Sequence, residues 1–481
     1  MDFFSHTLQH LRDTEARPVR FGKVRSVVGL LIEASELHAA VGELCYIHED
    51  AAPTSRRIKA EVVGVRGDTS ILMPLEETHG LRAGCLVRRS TLPLTVRVGS
   101  ALLGRVIDAG GRPLDDKGPL VIVDEQPVHN EPPSPLRRQM ITTPMFTGVR
   151  ALDAFTTLGK GQRIGIFAGS GVGKSTLLGM IARQSRADVN VIGLIGERGR
   201  EVQEFIHDNL GEEGLERSVV VAVTGDQAAM SRVKGAAVTV AIAEYFRDRG
   251  LDVLLMMDSV TRVAMAQREI GLAVGEPPTT RGYTPSVFAM LPRLLERAGP
   301  SAHGTITGIF TVLIDGDDMN EPIGDAIRGI LDGHVVLSRK LANANHFPAI
   351  DVLESVSRVM PRVTPAKARD AAGEARSLLA AFRDSEDLIR IGAYQRGSNP
   401  ETDRAVAAVE PLRSFLKQAV HEEPTPDPSE RLAALLAEIP PAVVQPDTAD
   451  PATGPHSMPS STSGPQAPAP ARAGSGRTAA P

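Results

Sequence analysis

The segment AGSGVGKST, residues 168–176, constrains this chain more than any other part of its sequence. It follows the apolar run Ile164–Phe167, which predicts a buried strand, and it precedes an apolar pattern that predicts a helix. In that order of elements, backbone N–H groups of the loop turn toward an anion, and the helix N-terminus favours its negative charge. The segment therefore predicts a phosphate-binding loop, although Ala168 stands where the usual pattern has its first glycine.

The side chains of this loop predict a nucleoside triphosphate and Mg²⁺ as its ligands. Lys174 can reach the β- and γ-phosphates, and the Ser175 hydroxyl can ligate Mg²⁺. The residues that we expect to bind the nucleotide form one continuous stretch: Gly169, Ser170, Gly171, Val172, Gly173, Lys174, Ser175 and Thr176.

Two carboxylates are predicted to complete this site. The run LLMMD, residues 254–258, predicts an apolar strand that ends in Asp258, and an acid at such a strand end holds Mg²⁺, usually through water. Hydrolysis also needs a group that orients and polarises the attacking water. Glu197 follows the apolar run Val191–Ile195, so a neighbouring strand end would carry it. We therefore predict an Mg²⁺-dependent nucleotide hydrolase.

The pattern of elements along the chain predicts an α/β fold with a mostly parallel sheet, because apolar strands alternate with helical stretches after residue 160. Short β-rich runs before this region predict a small β-barrel. After Pro361, four helical segments predict a small helical domain: Ala366–Phe382, Asp384–Tyr394, Glu401–Val420 and Pro428–Ala437. The predicted division is an N-terminal helix (1–17), a barrel (18–98), the α/β core (99–361), a helical domain (362–439) and a disordered tail (440–481).

Composition restricts the class of protein. The net charge is −5, so no overall basic field favours nucleic acid, and the barrel segment offers few aromatic residues beyond Phe21 and Tyr46. The cysteines, Cys45 and Cys85, fit no metal spacing and suit a reducing compartment. No apolar stretch approaches the ~20 residues of a membrane span. The sequence predicts a cytoplasmic protein that reaches a membrane through partners.

Several further motifs resemble the ATPase of the bacterial type III protein export apparatus, most closely its flagellum-specific member, a family related to the catalytic subunits of rotary ATP synthases. The resemblance extends from about Pro18 to Ala437 and excludes the tail. It rests on the segments GERGREVQEF, AGSGVGKST, LLMMDSVTRVAMAQREIG, GEPPTTRGYTPSVFAMLPRLLERAG, VLIDGDDMNEPIGDAIRGILDGHVVLSR and HFPAIDVLESVSRVM.

The resemblance implies a RecA-like core and a role for each of several residues. Glu197 would be the general base and Arg198 its neighbour in the site, whereas Arg262 would lie near the phosphates. Arg358 matches an arginine finger that is donated to the next subunit, and Phe347 stands where an aromatic residue, more often Tyr, stacks on adenine. The chain departs from the family pattern in residues 224–230 and at Ala326, where the family commonly has an acid.

The resemblance also implies partners. We expect a homo-hexameric ring with ATP between subunits, a coiled-coil stalk protein in its pore, export chaperone–substrate complexes, and an export gate at the inner membrane. The helix around Phe4, Leu8 and Leu11 would dock a stator-like regulator, although its apolar stripe could also pack on its own domain. The alternatives are a virulence-type injectisome ATPase, an RNA-translocating hexameric helicase and a non-catalytic ring subunit; the last would lack Lys174 or Glu197.

Overall fold

A computed structural model describes residues 21–440, except 50–55, 91–92, 315 and 317. The predicted N-terminal helix (1–17) lies outside the described residues, as does the predicted tail after residue 440. Within the described part of the chain, no helix is long and apolar enough to cross a membrane.

The first described element is a closed barrel of six strands, which confirms the predicted β-barrel. Alternate residues of its strands point inward, so that Ile32, Ile47, Ile58, Leu72 and Val87 fill the interior with no exposed surface. The barrel order is β1-β2-β5-β4-β3-β6. Its strands are β1 (Phe21–Val28), β2 (Leu31–Ser35), β3 (Leu44–His48), β4 (Arg57–Arg66), β5 (Thr69–Pro74) and β6 (Leu86–Arg89).

A nine-stranded sheet forms the centre of the molecule. Its strands run parallel except β16 and the edge strand β19, which confirms the predicted mostly parallel sheet. Outside the barrel the strands are β7 (Thr95–Val98), β8 (Arg105–Ile107), β9 (Asp124–Pro127), β10 (Pro144–Met145), β11 (Leu158–Gly159), β12 (Arg163–Ala168), β13 (Val189–Ile195), β14 (Ser218–Val223), β15 (Asp252–Asp258), β16 (Gly299–Pro300), β17 (Thr305–Leu313), β18 (Gly333–Leu337) and β19 (Ile350–Ser357). The main path is β19-β18-β12-β17-β15-β13-β14-β8.

Both faces of this sheet are buried. Along β13, Val191 and Ile195 belong to one apolar core, whereas Ile192 and Leu194 belong to the core on the other face. A strand that is covered on both sides has no polar face, which explains why the sequence of β13 reads as a continuous apolar run rather than an alternating one.

Helices cover the sheet and build the C-terminal region, which confirms the predicted helical domain. The helices are α1 (Arg150–Phe155), α2 (Lys174–Gln184), α3 (Gly199–Glu204), α4 (Gly211–Glu216), α5 (Ala229–Arg247), α6 (Val260–Val274), α7 (Pro285–Leu295), α8 (Pro322–Ile330), α9 (Arg339–Asn343), α10 (Met360–Val363), α11 (Ala366–Arg390), α12 (Pro400–Leu416) and α13 (Pro428–Glu438). A π-helical turn, Phe205–Leu210, joins α3 to α4.

Helix α11 differs from the sequence-based expectation, which divided it into Ala366–Phe382 and Asp384–Tyr394. It is one helix of 25 residues. Residues 383–387, where the two predicted segments meet, contain neither Gly nor Pro, so none of them interrupts a helix. They are half-buried to exposed within one continuous helix.

The reversed edge strand β19 separates two parts of the chain that are close in sequence. Leu337 of β18 lies beside Ala168 of β12, and Ile350 pairs with Leu337, so β19 begins at the carboxyl edge of the parallel strands. Ser357 pairs with Gly333, so β19 ends at the amino edge. Residues just before β19 and just after it therefore lie at opposite edges of the sheet.

Candidate nucleotide-binding site

The glycine-rich loop lies between the end of β12 and the start of α2, as the sequence predicts. Gly171 and Gly173 have φ values of 78° and 91°, a left-handed region that glycine adopts without a steric cost. Helix α2 begins at Lys174, so its unpaired N–H groups and its dipole point into the loop. The local chain therefore forms an anion-binding cradle.

Three charged side chains meet beside this cradle. The Lys174 ammonium contacts the Asp258 carboxylate, and its Nζ lies 3.7 Å from Oε1 of Glu197. Asp258 ends β15, is 2% exposed and accepts a hydrogen bond of 2.8 Å from the Thr311 hydroxyl. Thr311 lies on the adjacent strand β17. The parallel sheet thus brings together residues that are up to 137 positions apart (311 − 174).

The Glu197 carboxyl group has an unusual proton affinity. Burial raises its pKa from 4.5 to about 7; the Lys174 ammonium opposes this rise, and the negative charge of Asp258 adds to it. Its Oε1 is buried and, among the described residues, has no hydrogen-bond partner. A carboxylate with a pKa near neutrality and a free acceptor atom is suited to take a proton from water.

Gly196 sets the position of Glu197 and of Arg262. It has a φ of 79°, and a Cβ on it would lie 2.6 Å from Cβ of Arg262, so a side chain cannot fit there. Gly225 donates a backbone hydrogen bond of 3.1 Å to the Glu197 carbonyl, which fixes this loop to the end of β14. Within the described chain, the buried Nε of Arg262 has no hydrogen-bond partner.

The cleft has a volume of about 460 Å³, and the structure brings most of the expected site residues together in it. Val172 is buried beneath the loop rather than in the cleft wall. Arg198 lies in the wall with its side chain 84% exposed and 3.6 Å from Glu201. The lining residues that were expected are Gly169, Ser170, Gly171, Gly173, Lys174, Ser175, Thr176, Glu197, Arg198 and Arg262.

Sequence reasoning missed some residues of this cleft. The Glu201 carboxylate accepts a hydrogen bond of 3.2 Å from the backbone N of Arg198 at the start of α3, and its spacing of three residues from a helix N-cap could have identified it. Thr311 and Glu321 had no such signal, because only the folding of distant segments places Thr311 on Asp258 and Glu321 in the cleft wall.

Phe347 lies at the same edge of the sheet, against the glycine-rich loop. Its ring is 3.6 Å from the position that a Cβ on Gly173 would occupy, and the side chain is 42% exposed. Its carbonyl accepts a backbone hydrogen bond of 3.0 Å from Gln418, so the C-terminal helical region holds this loop. An exposed ring beside the cradle is where a nucleotide base could stack.

Arg358 is the one expected site residue that lies away from this cleft. It follows β19 at the amino edge of the sheet, where its backbone N donates a hydrogen bond of 3.0 Å to the Asp332 carbonyl, and its side chain is exposed. The strand β12 has 6 residues, so about 17 Å separates this edge from the start of the glycine-rich loop. The structure therefore does not bring Arg358 to the nucleotide cleft of its own chain.

Three family sequence models match separate parts of the chain. The beta-barrel domain of the ATP synthase alpha/beta family matches residues 24–91, and the nucleotide-binding domain of the same family matches residues 148–357. The T3SS EscN ATPase C-terminal domain matches residues 364–434. These ranges contain the barrel, the glycine-rich loop with its carboxylates, and the helices α11 and α12.

The most similar relatives include proteins of both export systems. The flagellum-specific ATP synthase of Bacillus subtilis (strain 168) is 57% identical over 405 residues, which are 84% of this chain and 92% of that protein. A type 3 secretion system ATPase of Xanthomonas euvesicatoria is 51% identical over 412 residues, covering 86% of this chain and 93% of that protein.

Two solved structures share the fold and much of the sequence. The assembled ATPase EscN of the type III secretion system of enteropathogenic E. coli superposes with a TM-score of 0.81 at 46% identity, covering 87% of this chain and 99% of that chain. EscN in complex with its central stalk EscO gives a TM-score of 0.79 with the same identity and coverage.

Proposed function

The chain belongs to the family of flagellum-specific ATP synthases and type 3 secretion system ATPases, and from that premise we propose that it hydrolyses ATP to energise protein export by the flagellar type III apparatus. The observation that carries this proposal is the convergence of Lys174, Glu197 and Asp258 at the end of the glycine-rich cradle. A ring subunit without catalytic activity would not need a carboxylate with a raised pKa beside the phosphate site.

The residues at the cradle fit a nucleotide with Mg²⁺. Ser175 supplies a hydroxyl, and Asp258 supplies a buried carboxylate that Thr311 orients. Mg²⁺ is usually held by one or two protein ligands together with substrate phosphates and water, which matches this donor set. When bound there, Mg²⁺ would neutralise charge on the β- and γ-phosphates. The backbone N–H groups of residues 169–176 and the Lys174 ammonium would hold the phosphates.

Side chains of the protein orient the attacking water and accept its proton. Glu197, with its free buried Oε1, orients a water molecule toward the γ-phosphate and accepts its proton. Arg262 carries an unpaired buried N–H and neutralises charge near the phosphates. Arg198, exposed at the cleft wall, lies beside the same site, and the Phe347 ring stacks on adenine.

A second subunit completes the site. Arg358 lies at the edge of the sheet opposite its own cleft, so it would act on the nucleotide of a neighbouring copy. We therefore propose a homo-hexameric ring with ATP between subunits. An arginine that enters a nucleotide site from a neighbour stabilises the negative charge that spreads over the γ-phosphoryl group in the transition state.

The proposed partners follow from the family. They are a stator-like regulator at the N-terminal helix, a coiled-coil stalk in the ring pore, chaperone–substrate complexes, and the export gate at the inner membrane, with the protein itself in the cytoplasm. We propose no nucleic-acid partner. We also propose that the functional divisions of the chain are those predicted from its sequence: 1–17, 18–98, 99–361, 362–439 and 440–481.

Secretion by living cells tests the proposed function. In cells that lack their own copy of the gene, the intact chain should restore secretion of flagellar rod and hook proteins into the medium, and Lys174→Ala should not. Arg183→Ala, a change of a cation on the same helix outside the cleft, is the matched control and should restore secretion. Restored secretion of injectisome needle proteins, without rod and hook proteins, would instead assign the chain to the virulence-type system.

A further inference from the structure

A second cavity lies between the edge of the central sheet and the C-terminal helices. It has a volume of about 320 Å³ and is bounded by β19 and the segment before it on one side, and by α11 and α12 on the other. Its walls are largely apolar. The apolar side chains of its lining include Leu341, Leu353, Leu379, Phe382, Val409 and Leu416.

A buried histidine faces this cavity. His346 is 4% exposed and lines the cavity, and within the described residues its ring nitrogens have no hydrogen-bond partner. Burial, with the nearby cations Lys417 and Arg413, lowers the pKa of His346 to about 4, so the ring is neutral at physiological pH. A neutral imidazole with no partner still has one N–H to donate and one nitrogen to accept.

The cavity mouth has more cations than anions. The Glu386 carboxylate is contacted by three cations, since Lys340 lies 2.9 Å, Arg390 3.0 Å and Arg413 3.8 Å from its oxygens. Arg413 also lies 3.2 Å from Glu410, on the exposed side of α12. Of the charged side chains that line the cavity, Lys340, Arg383 and Arg413 are cations and Asp351 and Glu386 are carboxylates, with Arg383 2.7 Å from Asp351. The lining therefore has one cation in excess, which favours an anionic group there.

The cavity is coupled to the nucleotide site through a short loop. His346 and Phe347 are adjacent, and they face different places: His346 faces the cavity, whereas the Phe347 ring lies against Gly173 of the glycine-rich loop. Leu416 of the cavity wall lies two residues before Gln418, whose backbone N donates a hydrogen bond to the Phe347 carbonyl. A molecule that moves His346 would therefore move the ring beside the nucleotide.

We propose that this cavity binds a small amphipathic organic anion, with an aryl or branched aliphatic body among the apolar side chains and an acidic group facing His346 and Arg413. Binding changes the affinity for ATP through the loop that carries Phe347. The effect is reciprocal, because a ligand that changes ATP affinity by some factor is itself bound with an affinity that ATP changes by the same factor.

The test uses the full chain and 6-fluoro-2-naphthoate, observed by fluorine NMR, as the probe. We expect saturable binding at one site that persists when ATP occupies the nucleotide cleft. Val409→Phe fills the cavity from α12 and should weaken binding about tenfold or more, since a ring has no room beside the probe. Ala407→Phe places the same side chain on the exposed face of the same helix and should change binding less than about twofold.

Two substitutions that remove a charge and a second cavity-filling variant complete the experiment. Arg413→Gln should weaken the probe about tenfold, as expected for a charge-assisted contact, whereas Arg404→Gln on the same helix should have no effect. Leu353→Phe narrows the cavity from β19, so the test survives if Val409→Phe does not fold. Binding that both filling variants leave unchanged would overturn the proposal. If ATP displaced the probe and Phe347→Ala abolished probe binding, the probe would lie in the nucleotide site. That result would also overturn the proposal.

Discussion

The two edges of the central sheet differ in what they contain. At the carboxyl edge, the ends of β12, β13 and β15 bring Lys174, Glu197 and Asp258 into one cleft. At the amino edge, Arg358 follows the reversed strand β19 and faces solvent. The first edge has a nearly complete set of groups for phosphate chemistry, whereas the second presents Arg358, an exposed cation of the kind that this chemistry also needs.

Within one copy of the chain, Arg358 and the cleft lie too far apart to meet. About 17 Å of strand separates the two edges, more than an arginine side chain spans. A substitution at the carboxyl edge should therefore impair hydrolysis in the subunit that carries it, whereas a substitution at the amino edge should impair hydrolysis in the neighbouring subunit.

The largest effect is expected at the amino edge. Arg358→Ala should bind ATP but hydrolyse it about 10³–10⁵ times more slowly, because the transition-state charge loses its cation. Mixing Arg358→Ala with Lys174→Ala should restore part of the activity, since an intact Lys174 cleft can then meet an intact Arg358 from the adjacent subunit. Phosphate release measured against the mixing ratio checks this expectation.

Arg362→Ala removes an exposed arginine a few residues further on and is the matched control, with activity near that of the parent. If mixtures stayed as inactive as either variant while subunit exchange was demonstrated, action between subunits would be excluded. The division of the two edges between neighbouring copies would then be wrong.

At the carboxyl edge, Glu197→Gln should keep nucleotide binding and lower the hydrolysis rate about 10²–10⁴-fold, because the amide cannot accept the proton of the attacking water. Single-turnover hydrolysis and equilibrium ATP binding measure the two quantities separately. Glu204→Gln, at the end of the following helix α3 and outside the cleft, should leave both near the parental values. Turnover by Glu197→Gln at the parental rate would remove Glu197 from its role as base.

The pH dependence of kcat/KM should report Glu197 in the free enzyme. Its pKa of about 7 is raised above the usual value, so the carboxyl is protonated below that pH and cannot act as a base. The rate should fall about tenfold per pH unit below about 7 and level off above it. The residual activity of Glu197→Gln should show no such fall; an identical fall in that variant would assign the titration to another group.

The smallest effect is expected at Phe347. Phe347→Ala should raise KM for ATP by about twofold to tenfold through loss of ring stacking, with little change in kcat. Phe347→Tyr keeps the ring and should retain the parental KM. An unchanged KM in Phe347→Ala would mean that the exposed ring beside Gly173 does not contact the base.

Local sequence patterns were enough to predict the barrel, the parallel core and the placement of Lys174, Glu197 and Asp258 at the carboxyl edge. The reason is physical: residues 168–176 form a cradle from their own backbone, and strand ends such as Asp258 reach the carboxyl edge of any parallel sheet. The same logic fails for Thr311, whose contact with Asp258 depends on strand order, and for the raised pKa of Glu197, which depends on burial.

Local sequence patterns also could not predict the direction of β19. An apolar run predicts a strand at residues 349–356 but not whether it runs with its neighbour or against it. The family resemblance implied that Arg358 is donated to the next subunit. The reversed pairing of Gly333 with Ser357 supplies a spatial reason for the same expectation.

The reversal of β19 also affects how many nucleotide sites are complete in an assembly of several copies. In the proposed ring each Arg358 completes the cleft of the next copy in one direction, so the copies join head to tail. On the proposed roles, an open arc of any length then contains one cleft that no neighbour completes. Closure into a ring removes that last deficient cleft, so the final subunit to join adds two working sites at once.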